Sequence, residues 1–156
     1  MASSIPAASK YFAQLAQTAL GAQATVFMSR RLPLYTAALT LQIFGQAGDQ
    51  EPGEMGPNYR REETYAIECE ITSYSGDQDQ PGAPIADQPS FARQDECFAA
   101  LNKIETAIAN DYTLGGNIRY AEVGEFDFAA DADADGKSLG HLKFAVRCSQ
   151  RVTSLT

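Results

Sequence analysis

The stretch that most limits what this chain can fold into is 91–123, where a long helical pattern, a Gly-Gly pair and a β-prone run follow one another without a spacer. Phe91, Phe98, Leu101, Ile104 and Ile108 recur at spacings of three, four and seven, the stripe of a helix with one buried face. Cys97, Ala100 and Ala107 widen the stripe, and Arg93, Asp95, Asn102, Lys103 and Glu105 are assigned to the other side. Ser90 reads as the N-cap, and Asp87 suits the positive helix start. Pro89 keeps the residues before it out of a helix. Gly115-Gly116 end the element, because glycine enters a left-handed cap at little steric cost. Ile118, Tyr120 and Val123 then open a strand. Helix, tight turn and strand have to fold back on each other, so this unit is expected to form the core.

The flanking chain supplies partners for it. Residues 4–21 predict a first helix capped by Ser3 or Ser4, with Pro6 in the first turn, an apolar face of Ala8, Tyr11, Phe12, Leu15, Ala16 and Ala19, and Gly21 at its end. A short β-prone run covers 25–28. Residues 35–45 predict a strand with Leu39, Leu41 and Ile43 on one side and Thr40 and Gln42 on the other. Residues 46–60, rich in Gly, Pro and acids, read as a long loop, and 75–89 as a second. Between them, 61–74 alternates Tyr65, Ile67, Cys69 and Ile71 with Ala66, Glu68, Glu70 and Thr72. Strands are expected over 117–128, kinked at Gly124, and over 139–152, joined as a hairpin around 131–136. The expected architecture is a single α+β domain in the order α-β-β-α-β-β, with a mostly antiparallel sheet of four to five strands and two main helices on one face. Thr40, Gln42, Glu68, Glu70, Lys143 and Arg147 then share the other face, a charge mixture that suits a subunit interface or a channel wall as well as solvent.

Composition narrows the functional classes. The 156 residues suit one domain, and a net charge of −8 argues against duplex nucleic acid as a bulk partner. No run approaches the ~20 apolar residues of a membrane span, and the N-terminus lacks the pattern of a signal peptide. Cys69, Cys97 and Cys148 are an odd number, widely spaced and without a CxxC pair, so they read as buried apolar residues in a reducing compartment. His141, the single histidine, falls on the polar side of its strand and reads as a surface residue.

One tract has metal-binding chemistry. Asp131, Asp133 and Asp135 followed by Gly136 match the opening of an EF-hand calcium loop. The later positions are filled by Leu139 and Leu142 rather than a closing glutamate, and the flanks read as strands, so a solvated hairpin tip is the favoured reading. Glu68 and Glu70 stand two residues apart on one face, which favours a solvated or interface face over a catalytic pair. No GxSxG, HExxH, phosphate loop or cofactor motif is present, and neither catalysis nor a cofactor is expected.

The stretch Ala-Ile-Ala-Asn-Asp-Tyr-Thr-Leu-Gly-Gly, ending at Gly116 and followed by Asn-Ile-Arg-Tyr-Ala-Glu-Val, resembles the tail terminator proteins of long, non-contractile-tailed phages, the lambda-type terminator and its actinobacteriophage counterparts. A leading helix, a strand ending near Gly45, a Glu-rich strand over Glu62–Glu70, a helix with an Arg near its start (Arg93) and a final strand with Phe144–Arg147 follow the same layout. The layout spans most of 5–151, and the likeness in detail covers 110–123. The resemblance implies a structural virion protein without catalytic residues. Such a protein is made in the host cytoplasm and forms a homohexameric ring on the head-proximal end of the tail tube. The ring would stop tube polymerisation and present a surface to head-completion proteins, with DNA passing through unbound. On that reading Asp49, Glu51, Glu54, Arg60, Arg61, Glu68, Glu70, Lys143 and Arg147 are the candidate interface residues. The alternatives are a head-closure adaptor, a tail-tube subunit, or a calcium-dependent binding module built on Asp131–Asp135.

Overall fold

The computed structural model describes residues 3–29, 38–52 and 60–153. The chain folds as an α+β unit with two helices and a five-stranded mixed sheet. Its elements are α1 (Ile5–Leu20), β1 (Ala24–Phe27), β2 (Leu39–Pro52), β3 (Arg60–Gln78), a 3-10 turn (Ile85–Asp87), α2 (Pro89–Asn110), β4 (Tyr120–Ala132) and β5 (Lys137–Thr153). The sheet order is β1-β2-β3-β5-β4. β1 is a full member of the sheet, so the order gains one strand over the expected one. It pairs parallel with β2 from Ala24↔Leu39 to Phe27↔Gln42, while the other three pairings are antiparallel.

Both helices lie over the same face. Ala8, Phe12, Ala16 and Leu20 of α1 and Cys97, Ala100, Leu101, Ile104 and Ile108 of α2 join Leu41, Ile43, Ile67, Cys69, Ile71, Leu142, Phe144 and Val146 in one core. All three cysteines are buried and free. The buried side of α2 runs through Arg93, Cys97, Ala100, Ile104 and Ile108, so Arg93 sits on the core face and not on the polar one. Phe91, expected in the core, is 43% exposed.

The loops are shorter than their composition predicts. Residues 46–52 continue β2 and pair with 61–67 of β3, from Gln46↔Ile67 to Pro52↔Arg61. Only 53–59 of the expected long loop, and 35–37 of the expected first strand, lie outside the described residues. Residues 75–78 likewise extend β3. Pairing on both sides of β3 outweighs the local preference of Gly and Asp for loops.

The helix starts are held by distant carboxylates. Ser4 precedes α1, and its N–H and Oγ donate to Glu63 Oε1 at 3.0 and 2.7 Å. Glu63 is 1% exposed on β3, where the positive end of the helix suits its charge. At α2 the cap position is Gln88, not Ser90, and Asp79 accepts from Ser90 N–H at 3.0 Å. After Asn110 the chain turns through Leu114, Gly115 and Gly116, all at positive φ. Leu114 is fully buried there, an apolar anchor that offsets a backbone conformation unusual for leucine.

Two bulges fall on one row of the sheet. Phe44 is the extra residue between Ile43 and Gly45 of β2, and Gly124 and Glu125 of β4 together face the single residue Ala145 of β5, one residue in excess. Both lie level with the pair Glu68↔Ala145 at the sheet centre. The Arg147 side chain lies against Gly124 at its bulge, and a Cβ there would sit 2.8 Å from Arg147 Nε, so a larger residue would push that side chain aside.

Candidate functional surface

Both helices lie on one side, and among the described residues no helix lies over the other face of the sheet. Register sets its side chains in rows. Gln42, Glu70, Lys143 and Asp127 form one row across β2, β3, β5 and β4. Thr40, Thr72 and His141 form the next, and Ala47, Ala66, Arg147 and Glu122 another. The six residues expected on this face from alternation are therefore brought together on it.

The pairs on this face differ in burial. His141 Nδ1 lies 3.0 Å from Glu70 Oε1, with side chains 26% and 12% exposed, and 3.4 Å from Thr72 Oγ1. His141 is thus a partly covered partner of Glu70 rather than a free surface residue. Arg151 Nε donates to Glu62 Oε1 at 2.9 Å, and Arg147 reaches Glu125 at 3.4 Å. These two pairs are open to water and contribute little to stability. Glu68 is exposed and its carboxylate lies against Gly45. Tyr120 donates to Glu122 at 3.0 Å, and that carboxylate holds the phenol above its ordinary pKa. A shallow groove runs between Phe44, Glu68, Glu125, Asp127 and Lys143, across the row of the two bulges.

The remaining expected residues separate into three groups. Asp49, Glu51 and Arg60 belong to paired β2 and β3 backbone instead of a loop, and Arg61 lies in β3 as expected; their side chains, and Glu54 entirely, lie outside the described residues. Asp131, Asp133 and Asp135 do mark the β4–β5 hairpin tip. Asp133 spends its Oδ1 on the turn, accepting from the N–H groups of Asp135 and Lys137 at 2.9 Å each. Among the described residues no three His, Cys, Asp or Glu side chains are gathered as a metal site.

Burial pushes the Cys97 and Cys148 thiols up to about 12, and the Cys69 thiol further still, so all three stay protonated at neutral pH. No helix among the described residues is long and apolar enough to cross a membrane. The acids of β4, Glu122, Glu125 and Asp127, also belong to this surface. They escape sequence alternation because the bulge at Gly124 shifts the period in the middle of the strand. The sequence matches no family model, and no curated protein matches it.

Proposed function

We propose that this chain is a structural virion protein, the subunit of a ring, hexameric in the simplest case, that closes the head-proximal end of a long non-contractile phage tail tube. The ring ends tube polymerisation and offers its outer end to a head-completion protein. The observation that carries this reading is the face of the sheet opposite the two helices, where Glu68, Glu70, Lys143 and Arg147 stand in register rows with acids and cations interleaved. A face of mixed charge fixes the register of a neighbouring subunit more than it adds affinity. The paired stem of β2 and β3 also favours the reading, because it is a long two-stranded extension of the sheet that a neighbouring subunit or the tube can meet. A net charge of −8 suits a conduit that DNA must pass without sticking.

The test is the mass of the purified protein, alone and mixed with tail tubes. A monomer or a hexamer that caps tube ends as a single ring supports the proposal. Growth into open tubes by the protein alone makes it a tube subunit, and indifference to tubes sinks the proposal. Replacing 53–59 with a two-residue Asn-Gly turn, which keeps the β2–β3 stem closable, is expected to leave the fold intact and to impair capping.

A further inference from the structure

α2 carries a second stripe at the rim of the core. Phe91 and Phe98 recur at seven residues, Asp95, Glu105 and Ala109 fall on the same side, and Tyr112 follows in the turn after the helix. The cations of this helix, Arg93 and Lys103, lie on other faces. This stripe flanks β4, the last strand in the sheet order, and among the described residues no strand pairs with the outer edge of β4.

Aromatic rings line the junction. Phe98 packs edge-on against Phe126 at 5.6 Å and against Phe128 at 5.8 Å, and Tyr112 lies 6.2 Å from Tyr120. Phe126 is nevertheless 56% exposed. A groove between helix and strand is lined by Ile108, Ala109, Tyr112, Tyr120 and Val123, with Glu105 and Glu122 beside them. Glu105 and Glu122 line this groove, and Glu125 and Asp127 follow on β4, beside Lys143 and Arg147 of β5. Arg147 reaches Glu125 at 3.4 Å.

We infer that this seam docks an extended, basic segment of a partner protein, which adds a sixth strand beside β4 and lays apolar side chains over Phe126 and into the Tyr112–Tyr120 groove. An unpaired strand edge supplies main-chain donors and acceptors, and pockets beside it read alternate side chains. The acids select the sign of the partner. A second copy of this chain fits poorly: β4 against β4 sets Glu122, Glu125 and Asp127 of one copy near those of the other, and the length of β2 beyond β1 carries Asp49 and Glu51. The same acids and the bulge block self-pairing and leave the edge open to a basic strand. The inference goes beyond the ring reading and does not rest on it.

Hydrogen exchange on the full-length protein tests it, with an alternating Lys/Arg–Val/Ile peptide as probe and the same peptide with Glu and Asp in place of its cations as control. The basic peptide is expected to slow exchange over 121–131 and to bind at least tenfold tighter than the acidic one. Phe126→Ser, at an exposed ring, should weaken it about tenfold, and Glu105→Lys with Glu122→Lys should remove the preference for the basic probe. Equal binding of both peptides, protection outside this edge, or no protection at millimolar probe overturns the inference. So does a concentration-dependent dimer that Phe126→Ser abolishes, because a second copy would then be the occupant.

Discussion

The Tyr11 ring of α1 fills the space in which a side chain at residue 115 would lie: a Cβ built on Gly115 overlaps Cε2, Cζ and Cδ2 of that ring. Gly115 is also at φ +70°. The Tyr11 hydroxyl passes on to Asp111 Oδ2 at 2.5 Å, and Asp111 Oδ1 accepts from Gly115 N–H at 3.0 Å. The turn after α2 is thus clamped to α1 through one tyrosine. Gly115→Ala is expected to destabilise the protein by roughly 2 kcal/mol or more, combining left-handed strain with overlap. Tyr11→Ala removes the overlap. In urea melts the double variant should therefore cost less than the sum of the two singles, and simple additivity would show that the ring is not the obstacle.

Glu63 is the second clamp. Its carboxylate is buried on β3 and takes two hydrogen bonds from Ser4 at the start of α1. Glu63→Gln keeps an acceptor but removes the charge that faces the helix dipole, at an expected cost of about 1–2 kcal/mol. Glu63→Leu removes both and leaves the Ser4 N–H without its acceptor, while Ser4 Oγ keeps the Tyr65 hydroxyl at 3.2 Å, for about 1–3 kcal/mol. Faster amide exchange confined to the first turn of α1 in Glu63→Gln is the accompanying signature. Unchanged melts for both variants would contradict this account.

These clamps mark the limit of what the sequence reveals. The period of α2, the alternation of β3 and β5, and the hairpin at 131–136 are local signals, and the structure follows them. So is the shared face of Glu68, Glu70, Lys143 and Arg147, because alternation alone assigns it. The length of β2 is hidden because Gly48, Asp49 and Pro52 read as loop, while the deciding force is pairing with β3, a partner strand that local composition does not announce. The parallel pairing of β1 is non-local in the same way. On α2 the position of Arg93 was right for the core stripe, four residues before Cys97, but its charge argued it onto the polar side. Phe91 was misplaced by the converse argument. Its apolar ring suggests core, whereas it is 43% exposed, on the side of α2 that carries Phe98.

Arg93 yields a third prediction. It is buried on the core face of α2, donates to Glu96 Oε1 at 3.0 Å, and leaves its Nε without a partner. Ser73 Oγ donates to the other Glu96 oxygen at 2.5 Å. Glu96 itself is 46% exposed, so water moderates the loss of the pair. Glu96→Ala strands a largely buried guanidinium and is expected to cost about 1–3 kcal/mol. Arg93→Met keeps much of the side-chain volume and removes the charge, so it should cost less than Glu96→Ala or stabilise the fold. Thermal melts of both variants decide the order, and the reverse order would mean that the cation is itself a net stabiliser.

The last prediction concerns alkaline pH. Burial raises the Cys97 and Cys148 thiols from 9.0 to about 12 and pushes the Cys69 thiol up further, and it raises the Tyr65 phenol from 10.0 to about 12. Each group keeps its proton in the folded state at pH values where the unfolded chain has lost it. The unfolded state therefore binds fewer protons, and stability must fall as pH rises. The stabilisation is fully present below pH 9.0, the unfolded value of the thiols, and is lost toward about 12. Once the unfolded thiols are ionised, each contributes a slope of about −1.4 kcal/mol per pH unit. Cys148→Ala lowers stability at every pH by its lost packing, but it also removes one titrating group. Its curve of stability against pH, from urea melts between pH 8 and about 10.5, should be shallower than that of the parent by about 1.4 kcal/mol per unit at the alkaline end. Parallel curves would mean that Cys148 is ionised as readily in the fold as in the open chain.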